Sequence, residues 1–406
     1  MPQAAEAAEA VARRSYGKLV AFLAARTGDV AAAEDALADA FAAALADWPA
    51  SGIPRSPEAW LLAVARRRVI DAARRRRTRG DAADHLRLLA DELGETMDDA
   101  AIPDDRLALM FACAHPAIDP VIRAPLMLQS ILGFDAAAIA SAFLVSPATM
   151  GQRLVRAKAK IRQAGIPLRE PERAEMPERL DAVLAAIYAA FVGGWLDAAR
   201  RGAAEEALWL GRLVVSLLPD EPEALGLLAL MLHAEARHAA RRDAEGSYVP
   251  LAEQDTTQWD ERMIEEAETL LLCASAMGVI GRYQLEAAVQ SAHAARRLTG
   301  QTDWAAIEQL YEALSAITDS PVVAINRAVA VAELRGPEAG FANLEALATD
   351  KRLEHYQPYW AARADLLAQL DEAVAADRAY LRAIGLEADP AVRTFLARRR
   401  AQLLSQ

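Results

Sequence analysis

Two cysteines, Cys113 and Cys273, are all that the 406-residue chain contains. They lie far apart and form no ligand pattern, which excludes a disulfide framework and a zinc site as organising devices. Aromatic residues are 6% of the chain, and the valine-rich alternation that marks half-buried strands is nearly absent. The most apolar uncharged stretch, residues 182–196, is too short to span a bilayer and contains two glycines. The opening residues MPQAAEAAEA carry acid where a secretory leader needs a positive region, so no leader is expected. No phosphate-cradling glycine loop occurs. These absences lead to the expectation of a reduced, cytoplasmic protein with no membrane contact and no cofactor.

Ala and Leu dominate an apolar content of 54%, and this composition predicts an all-α fold. The net charge of −12 speaks at first against nucleic acid, but the average misleads. Residues 1–165 hold 21 Lys+Arg against 20 Asp+Glu, a net of +1. Residues 166–406 hold the remaining 24 against 37, a net of −13. Such asymmetry suggests two jobs in one chain.

The first unit is read as residues 1–79. A helix should start behind the cap Asp29, with Leu37, Phe41, Leu45 and Trp48 as its buried stripe. The segment WPASGIPRSP then forbids regular helix, and Ser56-Pro57-Glu58 restarts one with a capping hydroxyl, a first-position proline and a first-turn acid. An acidic connector follows at residues 80–101. A second helical unit spans residues 102–168, opened by an apolar face of Leu107, Met110, Phe111 and Ala114. In residues 169–406, aligning Arg327-Ala328 with Arg363-Ala364 also matches Leu334 with Leu370, a period of 36 residues. That is close to the tetratricopeptide (TPR) value, so a TPR-like α-solenoid is expected there, although residues 233–282 break the period.

Two segments carry chemistry. Eight arginines fall between Arg66 and Arg79, with Asp71 the only acid among them. At about 100° per residue, Arg66, Arg67, Arg74 and Arg77 share an arc opposite Leu61, Ala65 and Ala72. One side can pack while the other meets phosphates. A solvated charged face, or pairing with the acidic connector, explains the same pattern. Trp48 and Trp60 bracket the preceding loop, where they either stack on unpaired bases or pack in the fold.

The second segment, GFDAAAIASAFLVSPATMGQRLVRAKAKI, reads as a helix-turn-helix. Ile139, Ala140 and Phe143 face inward from its first helix, Leu144-Val145 makes the turn, and Ser146-Pro147 starts the second helix. Met150, Leu154, Ala157 and Ile161 form the buried stripe of that second helix. Ala148, Gln152 and Val155 project from the other side, with Thr149 near the start and Arg153, Arg156, Lys158 and Lys160 along the margins. Neutral side chains towards base edges and cations towards the backbone are the layout of a recognition helix. An ordinary helical hairpin with a basic face is the bland alternative.

No catalytic constellation emerges. Glu34 and Asp35 diverge on a helix, His115 precedes Pro116 at a helix end, and His233 and His238 are five apart. Gly193-Gly194 reads as close helix packing. No metal site and no enzyme are expected.

The AEDALADAF helix, the loop, AWLLAVARRRVIDAARRR and the helix-turn-helix together resemble the sigma-70 family, specifically the extracytoplasmic-function (ECF) group. DDRLALMFACAHP, LLPDEPEALGLLALML and SPVVAINRAVAVAELRGPEAG resemble its subgroup with a C-terminal TPR-like domain. The resemblance implies a sigma factor whose partners are RNA polymerase core enzyme and promoter DNA. Glu34, Asp35, Leu37 and Asp39 would dock on the clamp coiled coil of the largest subunit. Trp48, Trp60, Arg66, Arg67, Asp71, Arg74 and Arg77 would serve the −10 element. Ser146, Ala148, Thr149, Gln152, Arg153, Val155, Arg156 and Lys158 would serve the −35 element. The C-terminal part would regulate, with a further regulator as its partner. Two rivals stay open: a TPR-like adaptor, and a stand-alone helix-turn-helix regulator that works without core enzyme.

Overall fold

A computed structural model describes residues 2–76, 105–164, 166, 175–196 and 201–405. Among them the regular structure is helical, apart from one antiparallel bridge between Arg242 and Tyr248, and the all-α expectation holds. The acidic connector at 80–101 and Arg77 lie outside the described residues. Two compact units divide the chain, Met1–Ala207 and Leu208–Gln406. The first therefore contains both predicted N-terminal domains and residues 169–207 as well.

In the first unit the helices are α1 (Pro2–Thr27), α2 (Val30–Ser51), α3 (Pro57–Arg76), α4 (Arg106–Cys113), α5 (Pro120–Ser130), α6 (Ala136–Ala142), α7 (Pro147–Ala164) and α8 (Met176–Leu196). The unit boundary falls inside α9 (Arg201–Leu217). Helices α1, α2 and α3 pack on one another, and α8 lies against α4 and α5. Small residues set the spacing. Ala33, Ala40 and Ala44 on α2 are completely buried, and Gly17 on α1 sits where any side-chain carbon would strike the carbonyl of Ile131. Gly193 on α8 likewise leaves room for the Phe134 ring. Backbone-close approach of this kind needs residues without bulk.

Two local expectations are corrected. Helix α2 continues through Pro49 to Ser51, and the break begins at Gly52, whose φ of 85° places it in the glycine-favoured region. Leu45, expected in the buried stripe, is 51% exposed, because the core-facing positions of α2 are Val30, Ala33, Ala36, Leu37, Ala40, Ala44 and Trp48. Alanines supply the inward face, and the larger residue is left outside.

The second unit continues through α10 (Pro222–Ala236), α11 (Glu261–Ala276), α12 (Arg282–Ala294), the short α13 (Arg296–Thr299), α14 (Trp304–Ile317), α15 (Pro321–Arg335), α16 (Pro337–Glu345), α17 (Gln357–Gln369), α18 (Ala373–Leu386) and α19 (Pro390–Leu404). The starts of α15 and α17, and of α16 and α18, are each 36 residues apart, at 321 and 357 and at 337 and 373. Each pair has its own core: Ile325, Ala328, Leu344, Leu353, Tyr359 and Leu366 join one pair to the next, and Ala364, Leu367, Ala376, Tyr380 and Leu396 serve the second. Between α10 and α11, short 3-10 turns replace the pattern, which is where the sequence period fails.

Two histidines lie inside this unit. His233 is 1% exposed, and burial, then the charge of Arg237, pulls it down to about 3. Burial, then Arg237 and Arg296, pulls His293 down to about 4. The unfolded chain takes up protons below the ordinary value of 6.5 while these two stay neutral in the fold. Their contribution is complete above that value and is lost as pH falls towards the folded values. His233 alone should cost about 1.4 kcal/mol per pH unit across that window. Urea unfolding of the second unit at a series of acidic pH values should show this slope, and His233→Gln should flatten it.

Candidate nucleic-acid interface

Helix α2 is oriented by its start. The Asp29 carboxylate accepts the amide of Ala32 at 3.1 Å, as an N-cap acid should, and Gly28 before it has a φ of 66°. With the alanine face turned inward, Asp35, Asp39 and Leu45 are exposed. Glu34 sits at the edge of that face with its side chain 16% exposed. Its Oε2 accepts from Lys158 Nζ, on α7, at 2.5 Å, and Lys158 is 15% exposed. The other oxygen, Oε1, is buried with no hydrogen-bond partner. Around this pair, burial first and then the Glu34 carboxylate push the Cys113 thiol up to about 12, against a smaller opposite effect of Lys158. Burial, followed by Glu34 and Asp35, also takes the Tyr16 hydroxyl up to about 12.

Helix α3 starts at Pro57, and Glu58 in its first turn accepts from Ser15 Oγ at 2.8 Å, tying α3 to α1. Leu61, Leu62 and Ala65 are buried. Arg67, Arg68 and Asp71 are exposed and Arg66 is half-buried. Arg68 reaches Asp39 of α2 at 3.9 Å, a surface pair of little energetic weight. Trp48 is 2% exposed and meets half-buried Trp60 edge-on, with centroids 5.5 Å apart.

Helices α6 and α7 pack together around a tight turn. Asp135 caps α6 by accepting from Ala138 N at 2.8 Å. Val145 N donates to Ala140 O at 3.0 Å, and Leu144 has a φ of 53°, so the turn reverses through a left-handed residue. Ser146 Oγ accepts from Thr149 N at 3.3 Å and also bonds Thr149 Oγ1 at 2.8 Å. Met150, Leu154, Ala157 and Ile161 are buried, while Ala148, Gln152, Arg153, Val155 and Arg156 are exposed. Arg156 Nη2 donates to Gln152 Oε1 at 3.4 Å. Beside them a cavity of about 350 Å³ is lined by Ile118, Asp119, Val121, Arg153, Arg156 and Lys160.

The family model for sigma-70 region 2 matches residues 11–79, the segment of α1, α2 and α3. The N-terminal part of the chain carries a sigma-70 region 2. Residues 179–275 match a family of unknown function, DUF6596. An uncharacterized protein of Rhizobium meliloti (strain 1021) is 41% identical over 365 residues, spanning 87% of this chain and 86% of that protein. No solved structure matches the chain. A sigma-70 region 2 implies RNA polymerase core and promoter DNA as partners, and sigma-70 proteins are not enzymes. Among the described residues, no helix is long and apolar enough to cross a membrane.

The residues expected at the three contact surfaces separate into groups. Leu37 and Trp48 are withdrawn into the core, fully packed and without a face to offer. Asp35 and Asp39 stand on the exposed side of α2, and Leu45 joins them there. Sequence reading missed Leu45 because it assigned the bulky residue to the core; the signal was the alanine spacing at 33, 36, 40 and 44. Ser146 and Thr149 bond each other at the start of α7 and remain exposed. Gln152, Arg153, Val155 and Arg156 lie on its open face, whereas Lys158 turns to Glu34. The Arg74 side chain lies outside the described residues, like Arg77.

Two outcomes follow. In a double-mutant cycle of Glu34→Gln and Lys158→Met, chemical denaturation of the chain should give a coupling of roughly 1–3 kcal/mol, since removing one partner leaves the other buried and unserved. Native alkylation with an uncharged reagent, read by mass spectrometry, should modify exposed Cys273 and spare Cys113 until denaturant is added.

Proposed function

We propose that this chain is a sigma factor of the ECF group whose C-terminal helical unit is TPR-like and regulatory. Asp35 and Asp39, with Leu45 beside them and Glu34 at the edge, form the face that meets basic residues on the polymerase clamp coiled coil. Arg66, Arg67 and Asp71 on α3, together with Arg74 and Arg77, track the −10 region, and half-buried Trp60 is the aromatic left for an unpaired base. Helix α7 enters the −35 major groove, with Gln152 placed for a bidentate adenine contact and Arg153, Arg156 and Lys160 towards phosphates. Ser146, Ala148, Thr149 and Val155 complete that surface. The protein acts in the cytoplasm, where the polymerase is.

The observation that carries this reading is the match to sigma-70 region 2 followed, in the same compact unit, by a helix-turn-helix with a neutral centre and basic margins. Engagement has a structural condition. Lys158 and Glu34 belong to different proposed surfaces and neutralise each other. Use of either by an outside partner requires that the pair part.

Run-off transcription with bacterial core polymerase and candidate promoter fragments tests the reading. Addition of the chain should produce a discrete promoter-dependent transcript that core enzyme alone does not make. Gln152→Ala should relax preference at one −35 position, a loss worth about 1–3 kcal/mol of discrimination. Sequence-specific DNA retention by the free chain, with no transcript in the presence of core, would favour a stand-alone regulator instead.

A further inference from the structure

The interior of the second unit holds a guanidinium that no carboxylate of that unit is seen to neutralise. Arg237, which follows α10, is 6% exposed. Its Nη2 donates to Gln290 Oε1 at 2.5 Å, while Nη1 is buried with no hydrogen-bond partner. The formal charges acting on it are those of Arg241 and Arg296, both of its own sign, and burial with their repulsion lowers it to about 10, so it stays charged at neutral pH. Carboxylates on the neighbouring helices are committed elsewhere. Glu268 accepts from Ser291 at 2.6 Å, Glu286 from Arg282 at 2.6 Å, and Glu261 from Arg297 at 2.7 Å.

Other unserved groups gather at the same place. The Trp259 ring centre lies 5.9 Å from Arg237 Cζ and 5.3 Å from Arg296 Cζ, and its Nε1 is buried with no partner. His233, one helical turn before Arg237, is kept neutral, and its Nε2 lies 3.5 Å from Glu268 Oε1 without hydrogen-bond geometry. Arg296 is fixed beside the indole by donating to the carbonyls of Ala252 and Gln254 at 2.7 and 3.0 Å. Apolar Ala236, Ala240, Ile264 and Ala294 pack around Trp259, and Gln290, His293 and Arg296 are half-buried at the margin.

Burying a cation without a counter-charge is costly, and burying two donors without acceptors adds to the cost. Packing alone would be served better by an apolar residue of the same length. We propose that Arg237 and Trp259 form a binding site for a carboxylate, with Arg237 Nη1 and Trp259 Nε1 as its donors. One uncompensated guanidinium with one spare nitrogen matches a single negative charge, and Arg241 and Arg296 add a favourable field. A phosphate dianion fits less well, since Arg296 already spends its Nη donors on carbonyls. The site does not depend on the promoter reading.

The test uses the full chain. Its thermal unfolding midpoint is measured at neutral pH in acetate, citrate, phosphate and chloride at matched ionic strength. Calorimetric titrations follow with one short peptide carrying either a free or an amidated C-terminus. Acetate, citrate or the free-acid peptide should stabilise the chain beyond chloride, and the arm that responds distinguishes a small acid from a peptide end. Arg237→Met should abolish that response and leave the ligand-free chain at least as stable as its parent. Trp259→Phe, which keeps the ring and loses the N–H, should weaken binding by roughly tenfold with little change in the midpoint. Carboxylates acting no better than chloride overturn the proposal. So does phosphate outperforming them, or a ligand-free Arg237→Met chain that melts below the parent.

Discussion

The ion pair between Glu34 and Lys158 joins the two segments on which the proposed function rests. The partners are 124 residues apart, on the acid-bearing helix of region 2 and on the second helix of the helix-turn-helix. Both are mostly buried, so each depends on the other: either one alone would be a charge removed from water without compensation. The pair is also incomplete, because one Glu34 oxygen has no donor. Water would satisfy that oxygen in an opened state, which narrows the gap between the joined and separated arrangements. Cys113 and Tyr16 lie in the same enclosed neighbourhood, and their raised values report how little water reaches it.

From this link the organisation of the first unit follows. The close passage of Gly17 over the Ile131 carbonyl and the Arg26–Asp105 pair at 3.4 Å hold α1 against the second helical segment. Both helical segments belong to the one compact unit Met1–Ala207. The surfaces left open, Asp35 and Asp39 on α2 and Gln152 to Arg156 on α7, are available in this arrangement, while Glu34 and Lys158 are not.

Much of this was legible from residue order. Asp29 and Ser146 cap the helices they were expected to cap, and Met150, Leu154, Ala157 and Ile161 form the expected stripe. Such features are local, governed by one helical turn of chemistry. The 36-residue offset also reappears in the helix starts of the second unit. Leu45 was misjudged because alanines, which carry little hydrophobic weight in a pattern, set most of the packing face of α2, whereas Leu37 and Trp48 lie in the buried stripe as expected. Pro49 was taken for a break, yet a proline near a helix end forfeits little that is not already lost there. The Lys158–Glu34 pair left no trace in spacing, since nothing local connects the two residues.

The second unit shows a different economy. Residues 208–406 carry 29 acids against 19 bases, yet His233 and Arg237 are buried in the unit, with His293 and Arg296 half-buried beside them. In so acidic a unit the buried Arg237, with Nη1 unpartnered, is the place that the proposed carboxylate would occupy. This gives the regulatory role proposed for the unit a concrete chemical entry point.

The most direct measurement is size-exclusion chromatography of the purified chain mixed with bacterial core RNA polymerase at low salt. Sigma-type function predicts that the chain co-elutes with core at one copy per polymerase and that charge reversal at Asp35 and Asp39 releases it. Elution of the two as separate species would contradict the account.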